Sequence, residues 1–131
     1  MKYKVGQTFQ KQFSMSEEKV NKFADVTGDR NPVHIDKEYA KNTIFKKRIC
    51  HGMLVSSCVS NVIANDLPGP GTIYLSQTLS FRHPVFLDDT VTVNLEIVKI
   101  RQDKNIMTIK TTCENQDNKL VIDGEAVVKF N

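Results

Sequence analysis

The chain has 131 residues, 40% hydrophobic and 25% charged, with a formal net charge of +3. That length and composition suit one globular domain spanning the chain, with a buried core. The charge is too mild to call for nucleic acid, no apolar run reaches the ~18 residues of a membrane helix, and the start Met1 to Gly6 lacks a hydrophobic signal core.

Thr8 to Phe13 alternates weakly and reads as a short first strand. Ser14 and Glu17 have capping-box spacing, which predicts a helix from about Met15 or Ser16. Val20, Phe23, Ala24 and Thr27 form its inner face, and Gly28 is its stop. The next six residues, Asp29-Arg30-Asn31-Pro32-Val33-His34, carry chemistry. Pro32 lacks a backbone donor and pushes Asn31 away from helical angles, so the segment bends. The bend can bring Asp29 and His34 to one point, where a carboxylate and an imidazole can activate a water and return a proton. On spacing alone a plainer reading also stands, with Asp29 as a helix cap and His34 at the surface.

Asp36 to Asn42 reads as a short helix with Asp36 as N-cap. Lys46, Lys47 and Arg48 form a basic run, read as a solvated surface with contact to substrate phosphates as the alternative. A long, largely buried helix is expected from about Gly52 to Leu67, with Leu54, Val55, Cys58, Val59, Val62 and Ile63 on one face. Gly52 leaves the first-turn donors approachable, and those donors with the helix dipole suit a developing negative oxygen. Pro68-Gly69-Pro70-Gly71 ends the helix.

Thr72 to Phe81, Thr90 to Arg101, Asn105 to Glu114 and Leu120 to Phe130 are rich in β-branched residues and read as strands. One strand and helices followed by several antiparallel strands is an α+β pattern. Cys50, Cys58 and Cys113 are an odd set without C-x-x-C spacing, as expected of reduced thiols in a cytoplasmic protein. Asp29, His34 and Asp36 lack a third His or Cys at good spacing, so no metal is expected. Cys50-His51 is read as structural, His51 as part of the turn into the long helix, and His83 as the end of a strand.

Asp29 to His34, followed by His51-Gly52-Met53 and by the strand Ile73 to Val85, resembles the MaoC-like dehydratases, most closely the (R)-specific enoyl-CoA hydratases. The resemblance runs from about Gly6 to Phe130. It implies a hot-dog fold, a curved antiparallel sheet wrapped around a long central helix, paired as a homodimer with the site near the contact. It implies reversible addition of water to a trans-2-enoyl-CoA, giving the (R)-3-hydroxyacyl-CoA. Asp29 and His34 match the family's acid–base pair, the Gly52 N–H its oxyanion donor, and Asn31 and Ser60 supporting positions. Asn31 would orient the substrate or merely hold the turn; Ser60 would bond Asp29 or only its own helix. No cofactor is implied, since coenzyme A is part of the substrate, and no nucleic acid or membrane partner. Many relatives have a proline and an alanine within the segment that here reads Arg48-Ile49-Cys50. A short acyl group such as crotonyl is expected, in a pocket near Val33, Ile35, Met53 and Leu54. The alternatives are a thioesterase on the same fold, disfavoured because Gly52 to Asn65 carries no acid, and a non-catalytic thioester-binding subunit. Coenzyme A against a carrier protein, the pathway and its direction, and assembly beyond a dimer stay open.

Overall fold

In the computed structural model, which describes residues 2–131, the elements run β1 (Thr8–Ser14), α1 (Glu17–Thr27), α2 (Pro32–Ile35), α3 (Lys37–Lys41), α4 (Gly52–Asn65), β2 (Ile73–Phe81), β3 (Thr90–Arg101), β4 (Ile106–Glu114) and β5 (Leu120–Lys129). The strands form one sheet in the order β1-β3-β4-β5-β2. Every neighbouring pair is antiparallel. Val91, Val93, Leu95 and Ile97 of β3 and Met107, Ile109 and Cys113 of β4 are all buried, as the two-residue period of a half-covered strand requires. They share one apolar core with the face of α4 formed by Leu54, Val55, Cys58, Val59, Val62 and Ile63. Each such side chain contributes on the order of 1.5–3 kcal/mol by leaving water. This is the hot-dog arrangement.

Two local expectations are corrected, and one short element is added. The cap of α1 is Ser16, whose side chain accepts from the Lys19 N–H. Ser14 is unavailable because β1 pairs it with Thr90. A one-turn helix, α2, occupies the segment after Asn31, because Pro32 at its first position gives up a donor that would be unpaired there anyway. Helix α4 is buried on one face only: Met53 is 56% exposed, and Ser57, Ser60 and Asn61 lie on the open side.

Gly124 explains how β2 reaches its place. A Cβ there would lie 2.0 Å from the Thr78 carbonyl oxygen, so only glycine lets β5 accept β2 at this register.

Candidate active site

Helix α1 ends at Gly28, which takes the left-handed conformation (φ 79°) and donates its N–H to the Ala24 carbonyl. A relay of short-range bonds follows. The Asp29 N–H donates to Thr27 Oγ1 (3.2 Å), the Asn31 N–H to Asp29 Oδ1 (3.3 Å), and the Val33 N–H to Asn31 Oδ1 (3.3 Å). Asn31 is therefore the N-cap of α2, and its own N–H steadies the Asp29 carboxylate. The single turn of α2 then carries His34 back towards Asp29.

His34 is partly buried, and its Nδ1 lies 2.9 Å from the Ile49 carbonyl. A carbonyl only accepts, so Nδ1 carries the proton and Nε2 is left with a free lone pair. Burial pulls the His34 pKa below the ordinary 6.5, helped by His51 and opposed by the Ile49 bond and the Asp29 charge. The ring thus stays a base to lower pH than a solvated histidine.

His51 is the site residue that sequence reasoning treated as a simple turn element. It is 1% exposed. Its ring stacks on His34 with centroids 4.0 Å apart at 27°, and Phe23 packs against it at 4.9 Å. Its Nε2 donates to the backbone carbonyl of Asp29 at 2.9 Å. Its Nδ1 is buried without a partner among the described residues. One imidazole therefore touches both members of the pair. The signals for it in the chain are its position immediately before the apolar helix and its place in the His51-Gly52-Met53 motif.

Asp29, His34 and His51 offer ligand atoms within 4.8 Å of one another. No hydrogen bond joins the Asp29 and His34 side chains among the described residues, and a gap of this size admits one bridging water. Asp36, weighed earlier beside them, is instead the cap of α3, accepting from the Tyr39 N–H. The stack argues against a metal at this cluster. An imidazole binds an ion in its ring plane at ~2.0–2.1 Å. Planes 27° apart and 4.0 Å between centroids meet well beyond that reach.

A cavity of about 510 Å³ opens beside the pair, with His34 and Gly52 in its wall. Ile49, Met53, Val55, Phe81, Val85 and Val121 make it apolar. Of the expected pocket residues only Met53 lines it; Leu54 turns into the core, and Val33 and Ile35 flank His34 without joining the wall. Asp29 is exposed and stands outside the wall, beside His34. The Gly52 and Met53 N–H groups begin α4, and neither has an acceptor among the described residues. A Cβ on Gly52 would lie 2.6 Å from the Phe81 ring, so the absent side chain is what leaves room there. Ser60 is exposed two turns further on, and no hydrogen bond joins it to Asp29 among the described residues.

Cys50 also lines the cavity, but burial pushes its thiol up to about 12, which removes it as a nucleophile. The basic run is split. Lys47 sits over the Phe86 ring at 4.4 Å, while the Arg48 side chain is only 13% exposed and bonds inward. His83 is exposed at the cavity wall, with Nδ1 2.9 Å from the Leu120 carbonyl.

The MaoC-like domain model matches residues 2–119. The (R)-specific enoyl-CoA hydratase of Rhodospirillum rubrum is 42% identical over 125 residues, covering 95% of this chain and 86% of that protein. The (R)-specific enoyl-CoA hydratase of Aeromonas caviae is 44% identical over 120 residues, covering 92% and 88%. The solved (R)-hydratase from A. caviae, involved in PHA biosynthesis, superposes with a TM-score of 0.96 at 41% identity, covering 98% of each chain.

Proposed function

Because this chain belongs to the MaoC-like domain family, we propose that it is an (R)-specific enoyl-CoA hydratase, adding water to trans-2-enoyl-CoA and removing it from the (R)-3-hydroxyacyl-CoA. The observation that carries this is the meeting of the Asp29 carboxylate and the His34 imidazole, whose Nδ1–H is held by Ile49, beside an apolar cavity walled by His34 and Gly52. The acyl chain enters the cavity with its carbonyl towards the Gly52 N–H. A water held between Asp29 and His34 attacks the third carbon. As the C–O bond forms, the pair takes one proton from the water and the π electrons move onto the thioester oxygen. The enolate is held by the α4 N-terminus. It collapses as the pair returns a proton to the second carbon. The net change is OH on the third carbon and H on the second. The reaction is acid–base chemistry throughout and requires no cofactor or metal.

The absence of any carboxylate on α4 supports hydration over hydrolysis. A cytoplasmic homodimer is part of the same reading. No helix of the structure is long and apolar enough to cross a membrane, and the three cysteines are free thiols. β2 is an edge strand with Ile73 57% and Leu75 53% exposed, the kind of apolar edge a second copy would cover.

The test is loss of the conjugated enoyl absorbance on mixing the protein with crotonyl-CoA, with chiral analysis of the product. The expected result is (R)-3-hydroxybutyryl-CoA without free thiol. Released thiol would identify a thioesterase, and no reaction across enoyl chain lengths and carriers would refute the reading. The acid limb of kcat/KM should fall below pH 6.5. Burial disfavours the charged ring, so the base form of His34 persists as the pH drops. An acid limb above 6.5 would assign that limb to another group.

A further inference from the structure

Arg48 is the member of the basic run that neither surface solvation nor phosphate contact explains. Its Nε donates to the backbone carbonyl of His34 at 2.7 Å. One terminal nitrogen donates to Glu17 Oε2 at 2.9 Å and the other to Asn21 Oδ1 at 2.9 Å. Both acceptors lie on α1, so the guanidinium bridges that helix to the main chain of His34. With its side chain 13% exposed, all three nitrogens are paired, one with a main-chain carbonyl and two with side chains on the open surface of α1.

The His34 carbonyl needs such a donor. Helix α2 has four residues, and the last bond it makes is from the Asp36 N–H to the Pro32 carbonyl. The carbonyls beyond Pro32 are left to other partners. The neighbouring residue completes the clamp: the Ile49 N–H donates to the Val33 carbonyl at 3.3 Å, and the Ile49 carbonyl accepts His34 Nδ1–H at 2.9 Å. Residue 48 thus holds the main chain of His34 while residue 49 holds its ring. The Cys50 N–H fixes the strip to the Val85 carbonyl at 2.7 Å. A rigid planar fork can serve three acceptors at once; a lysine ammonium on a flexible stem cannot hold the same geometry.

We propose that Arg48 is a positioning residue for the hydration reaction, holding His34 so that Nδ1–H stays on the Ile49 carbonyl and Nε2 faces the reacting water. The inference rests on the reading of Asp29 and His34 as the catalytic pair. The other groups facing the His34 ring are His51, stacked on it, and Asp29, beside it.

The test uses Arg48→Met, Arg48→Lys and Lys47→Met in the full chain. In Arg48→Met, kcat on crotonyl-CoA should fall roughly 10- to 100-fold with KM little changed, as expected when a reacting group loses its alignment. The ¹⁵N shifts of His34 should change from one tautomer, with Nε2 bare, to a mixture. The acid limb should move up towards 6.5 as the ring gains solvent. Arg48→Lys, which keeps the charge and one donor, should be intermediate in kcat and tautomer ratio and remains informative if Arg48→Met fails to fold. Lys47→Met, losing the same charge next door, should leave kcat and the tautomer unchanged. If the Arg48 variants only lower the melting temperature, with kcat per folded molecule and the His34 tautomer as in the wild type, the inference is overturned. An inactive wild type would instead refute the catalytic reading, while the tautomer ratio would still decide whether Arg48 orients His34.

Discussion

Asp29→Asn will fold as the wild type does and lose hydration of crotonyl-CoA by roughly 10²–10⁴-fold, the usual contribution of a positioned acid–base group. The side chain is exposed, and among the described residues its hydrogen-bond partner is the Asn31 N–H. An amide oxygen can accept that same bond, so the Asx turn, the α2 cap and the melting temperature should persist. What disappears is the charge. The amide cannot take a proton from water, and it no longer orients a water towards His34 Nε2. Binding of saturated butyryl-CoA, which cannot be hydrated, should survive. Turnover by Asp29→Asn at the wild-type rate would remove Asp29 from the mechanism and leave His34 as the sole base.

The second large effect is expected at His51, where stability and activity can be separated. His51→Ala empties a fully buried position between His34 and Phe23 and strands the Asp29 carbonyl. The cavity and the lost bond should together cost about 2–4 kcal/mol, and kcat should fall about 100-fold as both members of the pair lose their support. His51→Phe refills the volume, keeps a ring beneath His34 and removes the unpartnered Nδ1. It should recover much of the melting temperature. It should not recover kcat, because no donor reaches the Asp29 carbonyl. Full activity in His51→Phe would show that the stack alone supports the site and that the bond to Asp29 is dispensable.

The elements most legible in the chain are those made by near neighbours. The stop of α1 at Gly28 was readable because the left-handed conformation is cheap only for glycine. Asp36 was readable as the cap of α3 because its carboxylate reaches an N–H three residues on. The buried face of α4 followed from its helical spacing, and β3 from its alternation between Thr90 and Arg101. The cap of α1 was misplaced by two residues because strand pairing with Thr90, a partner far along the chain, claimed Ser14. Of the four expected pocket residues, Val33, Ile35 and Leu54 were misjudged for a related reason. Neighbours of a site residue in sequence turn away from it on a helix, and the wall is built instead by the segment before α4, the start of α4, the end of β2 with the residues after it, and β5.

What the sequence by itself determined is therefore the strands and the longer helices, together with a proline bend that can bring an acid near an imidazole, since hydrophobic period, capping and turn chemistry act over a few residues. Tertiary structure alone decided that His51 lies under His34, that Arg48 turns inward to the His34 carbonyl, and that the α4 N-terminus opens onto an apolar cavity. The bonds of His51 and Arg48 that reach the pair end on backbone carbonyls. Every residue carries such a carbonyl, so its availability depends on where the chain has been folded and not on which side chain stands there.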